Sequence, residues 1–195
     1  MQDVQERYTS VAIALHWLIA ASIILQLASG LWMADAINEP ATQALAFEVY
    51  QWHKSLGLTV LILSLLRLLW RLTHRVPGLP DGMKPWEIMA AKATHVLFYV
   101  IMIVMPLTGW VIVSASAFGL PTLYWGLFTW PHLPITGLAS ETKAVIENIF
   151  GEVHALLGYG TIGLLALHVG AALKHHFIAR DAVLARMLPF LKRAA

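Results

Sequence analysis

The sequence predicts an all-α integral membrane protein, a four-helix bundle with both termini in the cytoplasm. Of its 195 residues, 58% are hydrophobic and only 12% are charged, and the mean hydropathy is +0.68. This composition is too apolar for a soluble domain. Four stretches are long and apolar enough to cross a bilayer, which needs about 20 residues per helix. Basic residues concentrate on one side of these stretches, and this asymmetry sets the predicted orientation.

The whole chain, 1–195, is predicted to be one membrane domain with helices at about 10–33, 52–72, 94–113 and 153–175. The first stretch contains no Asp, Glu, Lys or Arg between 11 and 33. It is too long for the apolar core of a signal peptide, so we expect it to stay in the mature protein. The second stretch accepts Arg67 and Arg71 near one end, because long side chains can reach the interface from there.

The connection between the third and fourth helices, about 114–152, is predicted to be an external loop and is long for one. Its Tyr124, Trp125 and Trp130 suit the headgroup interface. Ser140, followed by an acidic residue and an apolar spacing, predicts a short surface helix within the loop.

The orientation follows from the basic residues. Of the thirteen Lys and Arg residues, only Lys54 and Lys143 lie on the side of the two external connections, and eleven lie on the side of the termini. The positive-inside rule therefore places both termini in the cytoplasm. The eleven acidic residues divide five to six, so the inner face carries +6 and the outer face −4.

Histidines at matched depths predict cofactor sites. His154 and His168 are fourteen residues apart, about four helical turns, so they share one helix face at levels about 21 Å apart. His53 matches the depth of His154 near the external side, and His16 matches His168 near the cytoplasmic side. We call His53 with His154 the outer pair and His16 with His168 the inner pair. Each pair is predicted to hold one six-coordinate b-type haem by its iron.

The same fourteen-residue step recurs on two other helices. It separates His16 from Gly30 and His53 from Arg67. On each of these two helices, one face therefore carries a residue at the inner level and a residue at the outer level. Gly30 would leave room for the outer haem. Arg67, with Arg71 one turn further, would pair with the propionates of the inner haem.

Two other roles for the histidines agree less well with the sequence. A single intramembrane histidine is often a hydrogen-bond partner between helices, but four at two matched depths favour coordination. Zinc or copper would prefer further ligands at the same level, and no carboxylate lies within the predicted spans. The chain has no cysteine, which excludes iron–sulfur clusters and thiolate-ligated haem.

The segments around these histidines resemble the bacterial cytochrome b561 family. They read RYTSVAIALHW up to His16, HKSLGLTVLILSLLRLLWRL from His53, HVLFYVIMIVMPLTGW from His95 and HALLGYGTIGLLALHVGAALKHHFIARDAVLARMLP from His154. The resemblance covers all four helices and the tail. It implies that the four paired histidines ligate two haems b, that electrons are exchanged with a quinone pool, and that the protein is a multi-pass protein of the bacterial inner membrane.

One type within that family, superoxide oxidase, takes electrons from periplasmic superoxide and reduces ubiquinone. In this interpretation His95, unligated at the cytoplasmic start of the third helix, would hydrogen-bond a quinone carbonyl and relay a proton. A packing role for His95 stays open. Lys54, next to His53, would form a positive spot for the donor, although the charge of −4 on the outer face opposes the collection of an anion.

Three interpretations therefore follow. The favoured one is a superoxide:ubiquinone oxidoreductase. The second is an electron-transfer subunit or carrier that serves a periplasmic redox protein. The third is a haem-free membrane protein that binds a metal ion through histidine. In each case the lipid bilayer is the expected environment, and no feature of the sequence points to nucleic acid.

Overall fold

The structure is a computed structural model that describes residues 7–80, 82–188 and 191. It contains four long helices, which are α1 (Ser10–Ala36), α2 (Gln43–Thr73), α3 (Pro85–Ala115) and α4 (Ser140–Lys174). Each is long and apolar enough to span a membrane. The predicted four-helix membrane bundle is thus confirmed. The two chain ends, 1–6 and 192–195, lie outside the described residues, and their cytoplasmic location stays a prediction.

Three helices begin earlier than predicted. α2 begins at Gln43, α3 at Pro85 and α4 at Ser140, roughly nine to thirteen residues before the predicted spans. The prediction marked only the apolar stretch, whereas a helix continues through the polar turns outside it. At the start of α3, proline occupies the first turn and the Glu87 carboxylate accepts a hydrogen bond from the Lys84 amide at 2.9 Å. The short surface helix expected from Ser140 is the first part of α4.

The external connection is shorter than predicted and contains a β-hairpin. Strand β1 (Thr122–Tyr124) pairs antiparallel with β2 (Phe128–Trp130). Trp125 and Gly126 in the turn have φ of 51° and 72°, a left-handed conformation that glycine adopts without strain. The all-α prediction missed this hairpin because strands of three residues carry no measurable alternation.

The hairpin is fastened to α2. Ser55, which is buried on α2, accepts a hydrogen bond from the Trp125 amide at 3.1 Å and lies 3.0 Å from the carbonyl oxygen of Leu123. One turn along, the Thr59 hydroxyl accepts a hydrogen bond from the Trp125 indole at 3.0 Å. The hairpin therefore covers the end of α2 that carries His53.

The centre of the bundle contains few large side chains. Among the described residues, the largest fully buried side chains are Ile19, Ser55, Ser64 and Ser114. Large apolar side chains such as Leu156 and Leu167, each 72% exposed, point outward instead, as expected of a surface that faces lipid. An interior lined by small and polar side chains leaves room between the helices for a bound group.

The chain after α4 folds back over the end of the bundle. A π-helical turn (His175–Ala179) follows α4 and ends at Arg180, whose φ is 53°. The Trp17 indole on α1 then donates a hydrogen bond to the carbonyl oxygen of Met187 at 2.8 Å. Arg186 likewise donates to the carbonyl oxygen of Gly78 in the α2–α3 connection. These contacts close the end of the bundle on which the inner pair lies.

Candidate functional site

The four helices bring the predicted histidine pairs together. The rings of His53 on α2 and His154 on α4 have centroids 6.3 Å apart and planes at 65°. The rings of His16 on α1 and His168 on α4 have the same separation, 6.3 Å, with planes at 62°. Because α4 is continuous from Ser140 to Lys174, the two pairs lie about 21 Å apart along it.

The ring separation can be compared with that of two ligands on one metal ion. A bond between a metal and an imidazole nitrogen is about 2 Å, and the ring centre lies about 1 Å behind that nitrogen. Two imidazoles on opposite sides of one metal ion therefore have ring centres about 6 Å apart. Both observed pairs have this separation.

The set of donor atoms suits haem rather than a bare ion. Within the described part of the chain, no group of three or more His, Cys, Asp or Glu side chains could hold a metal ion. Zinc usually takes four ligands, of which at least three come from the protein, whereas a haem iron brings four ring nitrogens of its own and needs only axial ligands. Two sites of two imidazoles each fit two haems.

Two glycines make room for the outer pair. A Cβ at Gly30 on α1 would lie 3.2 Å from Cε1 of His53, and a Cβ at Gly109 on α3 would lie 3.4 Å from Cε1 of His154. The sequence pointed to Gly30 but not to Gly109. The signal was nevertheless present, because Gly109 follows His95 by the same fourteen residues that separate Gly30 from His16.

Two hydroxyl side chains that the sequence did not single out contact the outer pair. Ser29 Oγ lies 3.1 Å from Nδ1 of His53, and Thr108 Oγ1 lies 2.9 Å from Nδ1 of His154. Serine and threonine are common on membrane helices, so the residue type alone does not predict a contact with a histidine. Only their position, one residue before each of the two glycines, distinguishes them.

A third imidazole lies at the inner level. The ring of His95 on α3 is 5.9 Å from that of His168, with the planes at 70°. Phe98, on the next turn of α3, packs edge-on against His168 with ring centroids 5.3 Å apart. His95 therefore contacts the inner pair, as its position at the start of the predicted third span suggested.

The predicted arginines share one cleft at the same end of the bundle. Arg67 and Arg71 line it together with Arg75, Tyr8 and Tyr99, and among the residues that the structure describes no carboxylate lines it. The Arg67 guanidinium lies 5.9 Å from the centre of the Tyr99 ring. A cleft with three guanidinium groups is suited to carboxylates such as haem propionates.

Lys54 lies next to His53 but also has a structural contact. Its ammonium group donates a hydrogen bond to the carbonyl oxygen of Pro121 at 3.0 Å, just before the hairpin. Its positive charge is therefore held near the outer pair by the external connection. The role of Lys54 toward an electron donor stays a prediction.

Paired imidazoles within a four-helix membrane bundle are typical of membrane cytochromes of the b type. The family model described as prokaryotic cytochrome b561 matches residues 7–190. The chain therefore belongs to the prokaryotic cytochrome b561 family, whose members transfer electrons in the membrane with haem b.

Three curated relatives agree with this membership. Cytochrome b561 homolog 2 of Escherichia coli (strain K12) is 32% identical over 94% of this chain and 92% of its own length. Cytochrome b561 homolog 1 of the same organism is 29% identical over 94% of this chain and 97% of its own length. A protein of Yersinia pestis named Probable superoxide oxidase CybB is 25% identical over the same two shares.

Proposed function

We propose that this protein carries electrons across the bacterial inner membrane, from superoxide on the periplasmic side to ubiquinone on the cytoplasmic side. One haem b would be held by His53 and His154, and a second by His16 and His168. The observation that carries the proposal is the equal ring separation of 6.3 Å in both pairs. Bound haem would supply the one-electron chemistry, and the protein supplies its orientation, access and protons.

Contacts around the inner pair support a quinone site there. With His16 and His168 as the ligands at this level, the His95 ring, which lies 5.9 Å from that of His168, remains available to bond a quinone carbonyl. Since a quinone takes up protons when it is reduced, an imidazole at this level could relay them from the cytoplasm. The excess of basic residues around this end of the bundle supports its placement on the cytoplasmic side.

Superoxide is favoured as the donor because a relative that matches almost the whole chain is named a probable superoxide oxidase. Lys54, held by the carbonyl oxygen of Pro121, would supply the local positive charge that an anion needs near the outer pair. Superoxide would react close to the outer pair, where the Lys54 ammonium group also lies. Salt would therefore screen the attraction between them less than it screens attraction by distant charges.

One observation favours a second candidate function. The outer face carries a net charge of −4, which would attract a basic periplasmic redox protein rather than superoxide. In that case the chain would act as an electron-transfer subunit or carrier. The haem-free metal protein has less support, because each histidine pair offers a bare ion only two ligands.

Rapid mixing of the purified, oxidised protein with superoxide, with and without ubiquinone, tests the proposal. A reduced-minus-oxidised spectrum with a band near about 560 nm first establishes that haem b is bound. We then expect fast haem reduction by superoxide and reoxidation that depends on ubiquinone. Haem that is reduced by dithionite but not by superoxide would favour the carrier, and a spectrum without the band would contradict both haem functions.

A further inference from the structure

Each imidazole of the outer pair is held by a neighbouring helix in the same way. On α1 the hydroxyl of Ser29 lies 3.1 Å from Nδ1 of His53, and on α3 the hydroxyl of Thr108 lies 2.9 Å from Nδ1 of His154. In both cases the next residue is a glycine that packs against the same ring. We call Ser29–Gly30 and Thr108–Gly109 the hydroxyl–glycine pairs.

The direction of these hydrogen bonds follows from the backbone. Ser29 Oγ donates to the carbonyl oxygen of Gln26 at 3.2 Å, and Thr108 Oγ1 donates to that of Met105 at 2.7 Å. A hydroxyl has a single hydrogen, so while that hydrogen is donated to the helix carbonyl the oxygen accepts from the imidazole. In this arrangement Nδ1 of each outer histidine carries the proton, which is the tautomer that leaves the Nε2 lone pair for a metal.

At the inner level, His16 has no equivalent contact. Its Nδ1 is buried and has no hydrogen-bond partner among the described residues. A buried ring nitrogen without a partner is not held in one orientation by hydrogen bonding. The hydroxyl–glycine pairs are therefore a feature of the outer site that His16 does not share, although α1 contributes to both levels.

We propose that Ser29 and Thr108 are positioning residues that hold the outer haem and lower its reduction potential. This inference rests on the two-haem part of the proposed function. Each hydroxyl fixes the tautomer and the plane of its imidazole. By accepting the Nδ1 hydrogen bond it also makes the ligand more basic, which favours ferric over ferrous iron. A lower potential on the outer side favours electron transfer from the outer haem to the inner one.

The test uses purified holoprotein with Ser29→Ala, Thr108→Val and the double substitution. Ser29→Thr and Thr108→Ser retain a hydroxyl. Ser22→Ala is a matched control, because this hydroxyl donates to the carbonyl oxygen of Leu18 at 2.8 Å and has no histidine partner among the described residues. The measurements are the low-spin ferric signals in electron paramagnetic resonance and a redox titration followed in the haem spectrum.

We expect the outer signal to shift and the outer midpoint to rise in Ser29→Ala and Thr108→Val. At a fixed potential, the ratio of reduced to oxidised outer haem should increase by about threefold to tenfold for each lost hydrogen bond. The inner haem, the hydroxyl-retaining variants and the Ser22→Ala control should keep the wild-type values. Unchanged outer signals and midpoints in variants that retain both haems would overturn the proposal.

Loss of haem gives a further distinction. If Thr108→Val loses the outer haem while Thr108→Ser retains it with the wild-type signal, the hydroxyl is required and the proposal is supported. If both lose it, the shape of the side chain matters rather than the hydroxyl, and the proposal is overturned. The number of haems bound per chain is measured first in the wild-type protein. Fewer than two haems per chain would contradict both the proposed function and this inference.

Discussion

Gly109 on α3 packs against the ring of His154 on α4, where a Cβ would lie 3.4 Å from Cε1. The corresponding contact on the other side of the outer pair is closer, 3.2 Å between a Cβ at Gly30 and Cε1 of His53. Both rings therefore rest on the backbone of a neighbouring helix. Movement of either ring would change the ring separation of 6.3 Å that fits coordination of one metal.

Gly30→Ala is expected to weaken binding of the outer haem, and Gly109→Ala to weaken it less. A methyl group at Gly30 requires the His53 ring, which is hydrogen-bonded to Ser29, to shift by a few tenths of an ångström, whereas one at Gly109 comes close to ordinary van der Waals contact with His154. Haem content per chain and the amplitude of the outer haem signal measure the effect. Gly163→Ala is the matched control, because a Cβ there meets nothing within 4 Å and alanine favours the helix by about 1 kcal/mol. Equal haem content in all three variants would contradict a steric role.

Single substitutions of the paired histidines should remove different haems. His53→Ala or His154→Ala is expected to abolish the outer haem signal, and His16→Ala or His168→Ala the inner one, because in the proposed function each pair holds one iron. Electron paramagnetic resonance of the oxidised protein separates the two signals. A variant of the outer pair that loses only the inner signal would show that the pairing is wrong.

His95→Gln should retain both haems and slow reoxidation of reduced haem by ubiquinone. Glutamine can still donate a hydrogen bond but cannot relay a proton, so a reduction of about 100-fold or more is expected. Rapid mixing of the reduced protein with ubiquinone measures this rate. His132→Gln in the external connection is the control. Loss of the inner haem from His95→Gln would instead identify His95 as a ligand, since its ring is 5.9 Å from that of His168.

Periodicity explains why the sequence predicted the histidine pairs but not their surroundings. Fourteen residues return a helix close to the same face, so the spacing of His154 and His168 by itself predicts that they share one face. The contacts of Ser29 and Thr108 depend on how α1 lies against α2 and α3 against α4, which no pattern within a single helix records. The hairpin was missed for a related reason, since it is held by the distant side chain of Ser55.

Arg67→Gln should lower the reduction potential of the inner haem, whereas Arg67→Lys should preserve it. A positive charge favours the reduced iron because reduction removes one positive charge. Two charges roughly 10 Å apart interact by about 1 to 2 kcal/mol at an effective dielectric constant of about 20. Arg67 shares its cleft with Arg71 and Arg75, so part of the field remains after one substitution. A redox titration of both haems measures the shift, and an equal change at the outer haem would contradict a local effect.

Lys54→Gln should slow haem reduction by superoxide by about tenfold, and added salt should then raise the rate, because salt screens the negative charge that remains on the outer face. The glutamine side chain can still donate a hydrogen bond to the carbonyl oxygen of Pro121. The substitution therefore removes the charge but not the donor. Lys143→Gln is the matched control. Lys143 lies in the first turn of α4, and its substitution changes the net charge of the predicted outer face by the same amount. If both variants slow the reaction equally, the overall field decides the rate. If neither does, Lys54 has only its structural contact, and the negative outer face favours a basic redox protein as the donor.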